Sequence, residues 1–295
     1  MRTANEVTIV CPAGDPDHDS SLLAGIRAYL GRHEAINTIQ LAGFLASDTF
    51  DPSTPVFVAM AGDRIVAVTT LAPGFNLLIS HVEDHGAIEA LAAKIARRAI
   101  EPPGVMGRSA DSLDFAEHWQ RFGCGSYAPG MVQRILAATM VQAPQGVSGN
   151  WRHMTDDDHP MLIEWFTDFG VESDHMTAAV ARRHAHSMMQ RLDERSGGTI
   201  WVDEAGVPVS VARYKAPTFT GIRIGPVYTL PAHRRRGYGG AVTAAATQLL
   251  LDQGYAFVCL YTNALNPTSN HIYEAIGYTF IADSMQYRFS ARAAR

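Results

Sequence analysis

Two spacings of apolar residues alternate along this chain, one fitting strands and the other helices. Residues 56–60 read Val-Phe-Val-Ala-Met, turn at Ala61-Gly62-Asp63 and return over 65–69 as Ile-Val-Ala-Val-Thr, which predicts a β-hairpin. The same plan comes back later, where residues 199–202 turn at Glu204-Ala205-Gly206 and return over 207–214. Each hairpin is followed by an alanine-proline pair, Ala72-Pro73 and Ala216-Pro217. Gly62 and Gly206 stand 144 positions apart, and so do the two prolines. Further on, a helix-like stretch over 115–122 stops at Gly123 and another over 271–276 stops at Gly277, a spacing of 154. A glycine just past the last helical residue is a common helix end. Three landmarks in one order predict tandem copies of one fold, with the first copy ten residues shorter between its proline and its final helix.

The join falls at 141–150, which is polar and bears Gly and Pro, so the expected domains are 1–143 and 149–295. In the second half, Thr155 before Asp156, Asp157, Asp158 and Pro160 predicts a capped, solvated helix start. Leu162, Trp165, Phe166 and Phe169 then share one apolar helical face. A polar helix over 178–192, the hairpin, a strand through 227–230, a loop and helix over 234–253 and a strand over 255–262 follow. A short helix over 267–276 and two closing strands around Phe280 and Tyr287 end the chain. The order reads as α/β with a mixed sheet. In the first half, Asp111 to Asp114 with Leu113 and Phe115 reads as a capped helix.

Composition narrows the classes. At 295 residues, 47% hydrophobic and 18% charged, the chain can bury two cores. A net charge of -5 argues against a general nucleic-acid binder. Cys11, Cys124 and Cys259 are few and far apart, without zinc spacing or a disulfide framework. Cys259 lies in the apolar run 257–260 and reads as core rather than nucleophile. Arg182, Arg183, His184 and His186 read as a solvated face, and no metal is expected. No leader follows the first residues and no run of ~18 apolar residues occurs. A cytoplasmic protein without a membrane partner is therefore the expectation; a homodimer is compatible with it.

The strongest local signal is Thr229-Leu230-Pro231-Ala232-His233-Arg234-Arg235-Arg236-Gly237-Tyr238-Gly239-Gly240-Ala241, in which a strand ends, a basic glycine-rich turn follows and an alanine-rich helix begins. The first N–H groups of a helix have no internal partner and carry partial positive charge, so they suit a phosphate. Gly237, Gly239 and Gly240 let backbone approach an anion, and Arg234, Arg235 and Arg236 add charge. The run is neither a P-loop, lacking Gly-Lys-Ser/Thr, nor a dinucleotide fingerprint. An exposed basic turn with capping glycines is its plainer explanation.

This loop resembles the pyrophosphate motif of the GNAT acetyltransferase family, Arg/Gln-x-x-Gly-x-Gly/Ala, met here by Arg234, Gly237 and Gly239. A second segment, from Asn266-Pro267-Thr268-Ser269-Asn270 through Tyr273 to Gly277-Tyr278, is similar to that family's Asn-x-x-(Ala/Ser)-x-x-(Leu/Ile/Phe)-Tyr-x-x-x-Gly-Phe/Tyr. The whole chain resembles bacterial tandem-GNAT proteins with a divergent first half. The resemblance implies two acyl-CoA N-acyltransferase folds, each a mixed, mostly antiparallel sheet flanked by helices.

It further implies acetyl-CoA as co-substrate and an amine of a small molecule, peptide or protein as acceptor. Val227, Tyr228 and Thr229 would lie along the pantetheine arm on a strand that splays from its neighbour. Arg234, Arg235, Arg236, Gly237, Tyr238, Gly239 and Gly240 would hold the pyrophosphate. Asn266 and Asn270 would face the cofactor, and Tyr273 would be the general acid for the leaving thiolate. The sequence departs from many relatives at the general base, because no Asp or Glu lies in 221–230. Glu172 is the first candidate and His175 the second. A non-catalytic acyl-CoA binder or sensor is the alternative.

The first half carries Trp119 where the second carries Tyr273, counted back from Gly123 and Gly277. At the place of the basic loop it reads His81-Val82-Glu83-Asp84-His85-Gly86, offering carboxylates where phosphates need cations. It is expected to have lost acyl-CoA chemistry.

Overall fold

The predicted alternation of strand and helix is followed closely in the computed structural model, which describes residues 7–173, 176–190 and 195–291. In chain order the elements are β1 (Val7–Val10), α1 (Pro16–Gly31), α2 (Thr38–Leu45), β2 (Val56–Ala61), β3 (Arg64–Thr70), β4 (Leu77–Ile79), α3 (Gly86–Arg97), β5 (Gly104–Arg108), α4 (Ser109–Arg121) and β6 (Tyr127–Ala138). There follow β7 (Asn150–His153), α5 (His159–Ser173), α6 (Ala178–Gln190), β8 (Gly197–Val202), β9 (Pro208–Lys215), β10 (Gly221–Thr229), α7 (Tyr238–Asp252), β11 (Phe257–Asn263), α8 (Pro267–Ala275) and β12 (Thr279–Phe289). Both hairpins form with the expected turns, β2 with β3 and β8 with β9. Of the helix expected over 178–192, the last two residues lie outside the described residues.

The contacts divide the chain into two units. The first comprises Met1–Ile135, Asn263–Leu265 and Ile281–Arg295; the second comprises Leu136–Thr262 and Asn266–Phe280. In the first, strands run in the order β1-β2-β3-β4-β5-β12, antiparallel except for the parallel pair β4–β5. Helices α1 and α2 pack with Val56, Val58 and Val68 on one face. Helices α3 and α4 pack with Phe57, Leu77 and Val105 on the other. In the second unit the order is β7-β8-β9-β10-β11, again antiparallel except for one parallel pair, β10–β11. Helices α7 and α8 bury Ile222, Ile224 and Val258 on one face. Helices α5 and α6 bury Ile200, Val211 and Tyr228 on the other.

Burying a side chain such as Leu162 or Phe166 of α5 is worth roughly 1.5–3 kcal/mol relative to exposure, and that apolar stripe rather than helix propensity fixes α5 on the sheet. Its start differs from expectation. Thr155 and Asp158 form a reciprocal capping box, but the third aspartate is not solvated. Asp158 is buried and accepts two hydrogen bonds from Arg152, both 2.7 Å, which hold its carboxyl below the usual range.

The chain end also differs. One continuous strand of 11 residues replaces the two expected closing strands. From Ser284 to Arg288 it pairs antiparallel with β5 of the first unit, Tyr287 opposite Val105. The pattern of apolar residues marks a strand but carries no record of its partner, which tertiary pairing chooses.

Candidate active site

Strand β10 is where the second unit becomes irregular. Its first three residues, Gly221 to Arg223, pair in parallel with Phe257 to Cys259, and the register ends there, although β10 continues to Thr229 and β11 to Asn263. On the other side, β10 stays paired with β9 out to Thr229, with a shift of register between Ile224 and Val227. Gly225 and Pro226 thus bulge out of the ladder, and a bulge bends and twists its strand. The outer half of β10 leaves β11, and the gap between the two strands has edges rich in backbone polar groups. Ser210 of β9 ties the outer half in place: its buried hydroxyl donates to Tyr228 O at 2.9 Å and lies 2.8 Å from Thr229 Oγ1.

Past Thr229 comes one short turn at Pro231–His233, then the three arginines, then α7. Arg235 (φ 61°) and Gly237 (φ 83°) are both left-handed. The first is uncommon for a residue with a side chain. Gly237 is the N-cap of α7 and supplies no capping side chain, so the first-turn N–H groups are uncapped by it. A Cβ at Gly237 would also stand 2.8 Å from Val147 Cγ2, so position 237 needs glycine on two grounds. Gly240 lies close to Ile272 of α8 and to Pro144. Residues 144 and 147 read in the sequence as plain linker, and nothing local in them signalled that they pack under the glycine loop.

The three arginines do different things. Arg235 and Arg236 are exposed, and among the described residues neither side chain makes a hydrogen bond or ion pair. Arg234 instead turns back. Its Nε donates to Thr229 O at 3.0 Å, one terminal nitrogen meets Glu172 Oε2 at 2.6 Å, and its guanidinium lies 5.5 Å from the centre of the Tyr228 ring. The Tyr228 hydroxyl donates to the other oxygen of Glu172 at 3.1 Å. Burial and then the Glu172 charge push the Tyr228 phenol up to about 12. Glu172 therefore stands at the outer end of β10 with both oxygens engaged. His175 lies outside the described residues. Tyr238 is buried, so its side chain is not offered to an anion.

Helix α8 begins at Asn266, whose side-chain oxygen accepts from Ser269 N at 3.1 Å. Asn266 is thus a helix cap, and Asn270 is buried one turn on. Tyr273 is half-buried, its ring 6.0 Å from that of Tyr278, in the same apolar cluster as Val227. Among the described residues its hydroxyl has no hydrogen-bond partner, and burial pushes the phenol up to about 12. The helix closes with Tyr278 N donating to Tyr273 O at 3.0 Å around Gly277 (φ 106°).

The sequence motifs are thus gathered in one neighbourhood: the free end of β10, the uncapped start of α7, and α8 against both. Among the described residues no group of three or more His, Cys, Asp or Glu is placed to hold a metal ion, and no helix is long and apolar enough to cross a membrane. Two polar residues escaped the sequence reading. Ser210 carried no signal. Arg223 did, as a lone charge between Ile222 and Ile224 in a strand.

Residues 215–288 match the family model described as FR47-like protein. A 73-residue stretch is 37% identical to the mycothiol acetyltransferase of Corynebacterium kroppenstedtii. It covers 24% of this chain and 20% of that protein, so the chain matches about a fifth of its relative's length. Solved structures are similar over nearly the whole chain. A GCN5-related N-acetyltransferase from Sphaerobacter thermophilus has a TM-score of 0.63 at 16% identity, covering 98% of this chain and 97% of its own. A tandem GNAT protein from the clavulanic acid biosynthesis pathway has a TM-score of 0.59 at 12% identity, covering 98% and 100%.

Proposed function

The chain carries the tandem GNAT fold with an FR47-like segment in its second half, and from that premise we propose that residues 149–295 transfer an acetyl group from acetyl-CoA to a primary amine. Residues 1–143 have no part in the chemistry on this reading. The observation that carries the proposal is the parting of β10 from β11 beyond Arg223, opening toward an uncapped helix start flanked by two unpaired arginines. An elongated ligand with a phosphate at one end and a thioester at the other fits that combination of polar strand edge and anion-seeking turn.

Acetyl-CoA supplies the activated acyl thioester. The acceptor nitrogen attacks the carbonyl carbon, the C–S bond breaks, and the electron pair leaves with sulfur. Val227 to Thr229 present backbone groups to the arm and a donor for the carbonyl oxygen. Arg235 and Arg236 with the N–H groups of residues 237–240 hold the pyrophosphate. Arg234 acts one step back, steering Glu172 and the strand end. Glu172 takes the proton lost by the acceptor ammonium, which requires it to release one of its two present partners.

Tyr273 holds its proton at neutral pH. Against a departing thiolate of ordinary thiol basicity, about 8.5, full transfer from this phenol is uphill. Its role is thus to donate a hydrogen bond as charge develops on sulfur, with solvent completing protonation of the released thiol. The test is free-thiol release from acetyl-CoA across a panel of primary amines, with CoA binding followed in parallel. Amine-dependent thiol release supports the reading. CoA binding without release by any amine would make the chain an acyl-CoA binder instead.

A further inference from the structure

The face of the second sheet that carries Tyr228 also carries a row of cations. On β9 and β10 the residues alternate between faces: Ala212, Ile222 and Ile224 join the cluster under α7 and α8, whereas Val211 and Tyr228 join the one under α5 and α6. Arg213, two residues beyond Val211, is fully buried and donates to Met188 O of α6 at 3.2 Å, which confirms its face. Lys215 follows two residues later, and Arg223 is its direct antiparallel partner. Three cations on neighbouring strands thus share the face that Glu172 caps.

Arg223 is the informative one. It is the last β10 residue paired with β11 before the strands part, immediately ahead of the bulge. Its Nε is buried and has no hydrogen-bond partner. Among the described residues its guanidinium makes no ion pair, and its one specific contact is the Tyr261 ring, 5.9 Å from the ring centre. Arg223 is only part-buried, so its Nε is withdrawn from water without a partner while the rest of the guanidinium fork can still meet a ligand. An unpartnered guanidinium donor at the point where two strands part is placed to receive an anion that arrives with a ligand.

We infer that Arg223, at the point where β10 and β11 part, anchors an anionic group of the acceptor, so that the acceptor is an amine bearing a carboxylate or a phosphate. The inference rests on the proposed acetyl transfer for its meaning. Tyr261 lies beside the guanidinium, whose planar fork suits two-pronged recognition of an oxyanion.

The test uses matched pairs: β-alanine against β-alaninamide, 4-aminobutyrate against its amide, and phosphoethanolamine against ethanolamine. Each is titrated calorimetrically into the full chain saturated with CoA, and each is assayed for thiol release with acetyl-CoA. The anionic member of a pair should bind about ten-fold tighter or more. The carboxylate and phosphate pairs tell which oxyanion is taken. Arg223→Gln should erase that preference and Arg223→Lys should keep part of it, with CoA affinity reporting that each variant is folded. Equal binding of charged and neutral members in every pair by the wild-type chain overturns the inference, as does a preference that survives in Arg223→Gln. Thiol release is read separately: its absence across the panel overturns acetyl transfer while leaving the binding preference to decide the anion site.

Discussion

The two units solve the same local problem in opposite ways. In the second, the parallel pair β10–β11 ends at Arg223 and Cys259 while both strands run on. In the first, the corresponding pair β4–β5 is in register only at Leu77–Val105 and Leu78–Met106, yet the chain stays close beyond it. Gly107 of β5 stands so near Ile79 of β4 that a Cβ would lie 3.1 Å from the Ile79 carbonyl oxygen, and Arg108 reaches across to His81 Nδ1 at 3.1 Å. The helix that follows differs in the same sense. The start of α7 has no side-chain cap, whereas the Gly86 N–H at the start of α3 is taken by Asp84 Oδ1 at 3.0 Å. A carboxylate of the chain sits there as a built-in anion. Glu83 beside it is paired with Arg32 at 2.7 Å.

Further along, α4 ends as α8 does. Cys124 N donates to Trp119 O around Gly123, as Tyr278 N donates to Tyr273 O around Gly277. The same hydrogen bond makes Trp119 and Tyr273 equivalent positions, and the indole is 2% exposed, in a cluster with Phe115 and Phe289. One ancestral frame thus holds an open strand pair in one unit and a closed one in the other, and a few side chains make the difference.

The sharpest way to break this comparison is charge reversal at the open site. Arg235→Glu with Arg236→Glu removes two charge-assisted contacts, about 1.5–3 kcal/mol each, so CoA affinity should fall about 10²-fold or more. Calorimetry on the full chain should show one CoA per chain before the change and none in the first unit after it. Two CoA molecules per wild-type chain would erase the distinction between the units.

A smaller effect tests the equivalent aromatic positions. Tyr273→Phe should lower kcat about 10²-fold with CoA affinity nearly unchanged, whereas Trp119→Phe should leave kcat alone and cost only stability. Equal losses of kcat in the two variants would mean that both act through packing.

The smallest effect concerns the closure of the first unit. Burial, with His33, Arg108 and His85 nearby and only partly offset by Glu83, pushes the His81 imidazole down to about 4. The unfolded chain takes up this proton near 6.5, whereas the folded chain resists it until about 4. Stability present above that unfolded value is therefore lost as pH falls through this window. With solvent reaching part of the ring, the loss should be about 1–2 kcal/mol. Denaturant unfolding of wild type and His81→Gln between these limits checks it, the variant being flatter. If both lose stability alike, His81 is not the group that senses the acid.

Legibility in the sequence followed the range of the interaction. Both hairpins, the glycine ends of α4 and α8 and the basic turn before α7 are local patterns of a few residues. Turn chemistry and periodicity state them directly. The family resemblance then located Tyr273 and the arginine loop, because those motifs are short and contiguous. Glu172 rests in the sequence only on its place in the region that the family resemblance sets on the acceptor side, and its contact with Arg234, 62 residues away, has no sequence signature.

What the sequence determined by itself was the order of most elements in the second half, the duplication and the chemical character of the loop. Tertiary structure alone decided that β12 pairs with β5, that Arg234 turns back onto Glu172 while Arg235 and Arg236 make no ion pair among the described residues, and that Val147 packs under Gly237. Among the described residues it also left Arg223 without an anion. The physical reason is common to all of these. A strand edge, a guanidinium or an apolar side chain accepts many partners of the same kind, and only the packing of distant segments selects which one comes within reach.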